Sequence, residues 1–151
     1  MTKLLKRLSD AIYVRLNRER ILVAVRSDLK SAWPYIECVW GRASGLYRSR
    51  IGASARKPFE LAILEELVKV GPVCEKLLVA NLLHANPYVA AYCLLCLEQL
   101  SSREINTLPK ELFNRIETIV VHTGSFALTQ RVGEFAQQVC KASAWRGCNG
   151  V

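Results

Sequence analysis

Apolar residues recur at three- and four-residue intervals along almost the whole chain. No other feature constrains the fold as much, because this spacing gathers each apolar set onto one side of a helix. No segment reads as the alternation of a half-buried strand bounded by Asn-Gly or Asp-Gly turns. The expected class is therefore all-α. Residues 3–16 carry Leu5, Leu8, Ile12 and Leu16 as one stripe, with Lys3, Lys6, Arg7 and Arg15 largely elsewhere around the cylinder. Asn17 reads as the cap of a second helix over 18–32, and Pro34 as a first-turn residue of a short third helix ending at Gly41.

Proline and glycine punctuate the remainder. Pro58 opens a helix striped by Leu61, Leu64, Leu67 and Val68, and Gly71 is placed to end it in a left-handed cap. Pro72 starts the next, to about residue 85, after which Asn86-Pro87 supplies a cap and a first-turn proline for a sixth helix reaching about Leu100. Pro109 opens a seventh, ending near His122, which is suited to complement a helix C-terminus. Gly124 then breaks the pattern, and Ser125 caps a last helix with Phe126, Val132, Phe135 and Val139 along one side. About seven to eight helices with such short joints form antiparallel hairpins.

At 151 residues the chain is long enough for one domain with a conventional core. Basic helices fill 1–41, a basic loop containing Gly and Ser fills 42–57, helical hairpins fill 58–142, and a frayed tail is expected over 143–151. The longest unbroken apolar run, Val89 to Leu97, is nine residues, roughly half of what a membrane-crossing helix needs. Lys6, Arg7 and Asp10 interrupt the place where a secretory signal carries its apolar stretch. The six cysteines are accordingly expected as reduced thiols in a cytoplasmic protein.

The segment NPYVAAYCLLCLEQL (86–100) resembles the first helix of a HEAT-type repeat, with a proline at the helix start and an aliphatic stripe holding small residues. KPFELAILEELVKVG (57–71) echoes it, with Pro58 aligned on Pro87 and Phe59 on Tyr88. The resemblance covers residues 57–142. It implies a short HEAT-like α-solenoid of stacked hairpins with a concave binding surface; a compact bundle has the same periodicity.

Signals for catalysis are missing: there is no glycine-rich phosphate loop, no Gly-x-Ser-x-Gly and no His-Glu-x-x-His. Glu65, Glu66, Glu111 and Glu117 belong to solvated helix faces. Cys93 and Cys96 have the spacing of a redox or zinc pair but share the stripe of Val89, Leu97 and Leu100, which marks them as core. The expectation is a non-catalytic protein without metal or cofactor.

Binding is the remaining class. Residues 1–57 hold 13 Lys/Arg against 4 Asp/Glu, while 58–151 hold 8 against 9. The first expectation is a protein–protein interaction module with a groove between equivalent helices. The second is nucleic-acid binding, in which Arg42, Arg48, Arg50, Arg56 and Lys57 neutralise phosphates while Trp40 and Tyr47 stack on bases. Against it, Trp33 and Trp40 lie seven apart and equally suit core anchors. Asn81, His84 and Tyr88 could line a small-ligand pocket. The first helix could dock on an anionic membrane surface, although packing its stripe onto the next helices is simpler. A homodimer through that face is also open.

Overall fold

A computed structural model describes residues 2–49 and 57–149, with the backbone alone for 145–149. Arg50 and Arg56 lie outside the described residues. Among these are eight α-helices: α1 (Lys3–Leu16), α2 (Arg18–Ser27), α3 (Leu29–Gly41), α4 (Phe59–Val70), α5 (Glu75–Ala80), α6 (Pro87–Gln99), α7 (Lys110–Phe113) and α8 (Val132–Asn149). They are joined by a small sheet of β1 (Leu46–Tyr47), β2 (Thr118–Thr123) and β3 (Phe126–Arg131). The chain is thus largely helical, and the sheet corrects the all-α expectation.

Capping chemistry fixes several ends as the sequence predicts. Asn86 Oδ1 accepts from the backbone N–H groups of Tyr88 at 2.9 Å and Val89 at 3.4 Å, and Pro87 fills the first helical position of α6. Gly71 closes α4 at φ 87° and ψ −157°, a region open essentially to glycine alone. The start of α3 differs: Asp28 Oδ1 accepts from the Ser31 N–H, so the helix begins at Leu29 and Pro34 lies inside it.

The larger correction is at 118–131. Helix α7 ends at Phe113 instead of reaching His122, and β2 pairs antiparallel with β3 from Thr118↔Arg131 to Thr123↔Phe126. Thr118, Ile119, Val120 and Val121 are all β-branched, which restricts χ1 in a helix and suits a pleated surface. Ile119 and Val121 point into the core. Gly124 does not end a helix; at φ 60° it takes the first central position of the two-residue Gly124-Ser125 turn, where a tight hairpin needs positive φ. β1 adds in parallel, Leu46 opposite Val121 and Tyr47 opposite His122.

The apolar run becomes the central helix. Every residue of α6 from Val89 to Glu98 is buried, enclosed by α3, α4, α5, α8 and the sheet. Tyr92 and Trp40 stack at 5.2 Å with ring planes 11° apart, and Trp33 meets Trp40 edge-on at 5.9 Å. The Tyr92 hydroxyl donates to the Gly45 carbonyl at 2.8 Å and accepts from the Tyr47 N–H at 3.1 Å, tying the segment after α3 to the core. α8 closes the other side with Val132, Phe135, Ala136 and Val139.

Candidate docking surface

Among the described basic residues of 42–57, Arg48 and Lys57 are held in internal ion pairs. Arg48 Nη2 donates to Glu98 Oε1 at 2.6 Å, the glutamate being 5% exposed, and its guanidinium lies over the Phe135 ring at 5.8 Å. Lys57 pairs with Glu65. Trp40 is fully buried, with its indole N–H donating to the Glu60 carbonyl at 3.2 Å, so it anchors the core and offers no face to a base. Tyr47 is half-buried and stacked on His122 at 4.8 Å. His122 therefore sits in a strand over Gly45 rather than at a helix C-terminus. Arg42 is exposed.

Asn81 and Tyr88 are committed to the fold, whereas His84 lines a groove beneath α1 and is hydrogen-bonded at both ring nitrogens. Asn81 Nδ2 donates to the Leu77 carbonyl at 2.8 Å. The Tyr88 hydroxyl accepts from the Val120 N–H at 3.0 Å and donates to the Ser44 carbonyl, stitching α6 to β2. His84 Nδ1 accepts from the Asn86 N–H at 3.0 Å, which leaves Nε2 to donate to Glu37 Oε2 at 2.9 Å. Arg115 braces the same turn, donating from Nη1 to the His84 carbonyl at 2.6 Å and holding Glu117 by two further bonds. That guanidinium keeps the Glu117 carboxyl below its ordinary range.

Cys74, Cys93 and Cys96 are fully buried. Burial pushes the Cys93 thiol well above its ordinary range, and hydrogen bonding to Cys74 together with burial does the same for Cys96. A thiol so held is a poor nucleophile. Among the described residues no three His, Cys, Asp or Glu side chains gather as a metal site.

The unexpected surface is α1. The simpler expectation was that its stripe packs on the following helices, but α1 buries no residue. Leu4, Leu5, Leu8, Ile12 and Leu16 are 68%, 54%, 47%, 60% and 76% exposed. At 100° per residue these five occupy an arc of about 120°, with Leu4 and Leu8 on the edge that borders the groove between α1 and α3. The side turned inward is slender: Tyr13 stacks on Tyr35 at 4.7 Å, Val14 reaches the core, and Asp10 and Ala11 are half-buried. The reason lies in the next two helices. Ile21 and Val25 of α2, and Ala32, Trp33, Ile36, Val39 and Trp40 of α3, turn their apolar faces into the core instead.

Beneath α1 runs a groove of about 840 Å³ between it, α3 and the 84–86 turn. Lys3, Lys6, Arg7 and Arg42 line it against Asp10 and Glu37, the latter engaged by His84. Lys3, Lys6, Arg7, Arg15, Arg18 and Arg20 are all exposed. The groove offers charge, apolar surface and the hydrogen-bonded His84–Glu37 pair, and among the described residues no metal-binding set is found. No helix among the described residues is long and apolar enough to cross a membrane.

Comparison with known proteins adds no relative: no family profile, no curated protein and no solved structure matches this chain.

Proposed function

We propose that this protein is a non-catalytic helical docking module that engages its partner through the outward face of α1. The carrying observation is the row of five exposed aliphatic side chains on a helix with no buried residue. A contiguous apolar surface that is left open while the rest of the chain forms a well-filled core is characteristic of a binding face. The surrounding cations give it a preference for negatively charged partners.

Nucleic-acid binding through the 42–57 segment draws less support, because Arg48 and Lys57 are neutralised internally and Trp40 is buried. A HEAT-like stack draws support from α4, α5 and α6 with their Gly71-Pro72 and Asn86-Pro87 joints; the β-hairpin at 118–131 makes it a short stack at most. Free thiols at Cys38, Cys74, Cys93, Cys96 and Cys140 favour a reducing, cytoplasmic setting.

A photo-crosslinking amino acid placed at Ile12, and for comparison at exposed Lys110 on α7, tests the reading inside cells. The expected result is a covalent adduct, to protein or to lipid, formed at position 12 and not at 110. An Ile12 derivative that reacts with nothing beyond its own chain would sink the docking role.

A further inference from the structure

The chemistry of α1 identifies what it docks on. Its five exposed aliphatic residues are Leu and Ile, with no aromatic ring, amide or hydroxyl among them to supply directional contacts. Protein interfaces concentrate their binding energy in Trp, Tyr and Arg set into pockets, with Leu under-represented. The outward face of α1 is instead a row of aliphatic side chains, bordered on one edge, at Leu4 and Leu8, by the groove. It asks for a partner that deforms around it.

The charges narrow the choice further. α1 carries Lys3, Lys6, Arg7 and Arg15 against one carboxylate, Asp10, which lies on the half-buried inner side. Arg18 and Arg20 continue the exposed cations into α2, whose own acidic residue at the first turn is Glu19. A second copy of this chain docked through the same face would place Arg15 within a dry apolar seam and bring two basic surfaces together, with too few carboxylates to compensate. Helices that lie in a membrane interface combine a Leu-rich face with Lys/Arg on the polar side, the long basic side chains reaching out to the headgroups while their stems cover apolar surface. Arg15 projects from within the aliphatic arc itself, which suits a headgroup region better than a dry protein groove.

We propose that α1 is an interfacial helix that binds the protein to the surface of a membrane containing anionic phospholipid. Leu5, Leu8, Ile12 and Leu16 enter the acyl boundary, Arg15 meets the phosphates from within the arc, and Lys3, Lys6 and Arg7, on the groove side of the helix, add their attraction to the anionic surface. This rests on the docking role of α1 and names the partner for that same face. The rest of the fold is untouched, since no residue of the inserted face contributes to the core.

The full chain is sedimented with vesicles of phosphatidylcholine alone and of phosphatidylcholine mixed with phosphatidylglycerol, at low and high salt. Binding is expected only to the anionic vesicles. It should weaken as salt rises, because a Debye length of about 10 Å at 0.1 M screens surface charge. Leu8→Asp/Ile12→Asp is expected to abolish it. Lys3→Gln, Lys6→Gln, Arg7→Gln and Arg15→Gln together, a variant confined to exposed side chains, should lower affinity on the order of 100- to 1,000-fold. Absence of binding at low salt, equal binding to neutral vesicles, or undiminished binding by either variant would each overturn the proposal. If vesicles fail while position 12 crosslinks to a protein in cells, the lipid partner falls and the docking role stands.

Discussion

Replacing Arg48 with glutamate is expected to destabilise the fold by about 3–5 kcal/mol, the range for breaking a buried ion pair by removing one partner. Glu98 is 5% exposed at the end of a helix buried all round, and Arg48 reaches it at 2.6 Å from a side chain that is itself 30% exposed. The new carboxylate would face Glu98 at the same place, so a repulsion between like charges replaces the ion pair. The loss of the guanidinium also removes its contact over Phe135, on which α8 packs. For a chain of this length the expected fall in Tm is on the order of 10 °C, read by calorimetry or by the urea midpoint. An unchanged Tm would show that the pair is not formed in solution. The consequence for binding assays is direct: charge reversal at Arg48 lowers any activity through unfolding, so it cannot by itself identify a nucleic-acid contact.

Gly133→Ala is the second large effect, expected to cost about 3 kcal/mol and several degrees of Tm, at the upper end of ordinary overpacking. A Cβ at this position would lie 2.2 Å from the Phe113 carbonyl oxygen, 2.9 Å from its carbon and 3.0 Å from the Arg115 carbonyl oxygen. All three are backbone atoms, so no side-chain rotation relieves the clash. The same backbone is already engaged, because the Gly133 N–H donates to the Arg115 carbonyl at 3.1 Å and the Val132 N–H to the Glu117 carbonyl at 2.9 Å. Moving α8 away to admit a methyl group would break those bonds and loosen the brace that Arg115 provides at His84 and Ala85. A variant as stable as the parent in urea denaturation would mean that α8 does not approach this closely.

Much of the helical framework was legible because its signals are local. The 3–16 stripe became Lys3–Leu16, the Pro58 and Gly71 brackets became Phe59–Val70, and Asn86-Pro87 opened a helix ending at Gln99. The β-hairpin was missed although its chemistry is present. Four consecutive β-branched residues, Thr118 to Val121, stand shortly before a Gly-Ser turn, but Leu112, Ile116 and Ile119 also recur at helical intervals, and the parallel partner β1 lies more than 70 residues earlier in sequence. The basic segment is legible only in part, for a related reason. Its charges are visible, but their partners are not, since Glu98 stands 50 residues from Arg48. A signal was available in retrospect: a glutamate directly continuing a nine-residue apolar run has to find a cation. The orientation of α1 could not be read at all. A 3.6-residue period shows that a helix has an apolar face and says nothing of what covers it.

The most direct test of the central claim, that the apolar face of α1 points outward and is free to dock, is the thermal unfolding of Leu8→Asp/Ile12→Asp in the absence of any partner. Both side chains are about half exposed or more, so the account predicts a Tm close to that of the parent, within the roughly ±0.5 kcal/mol typical of surface substitutions. A fall of many degrees would mean that the stripe is packed against the body after all, since burying two unpaired carboxylates is what would cost so much, and the docking face would cease to exist.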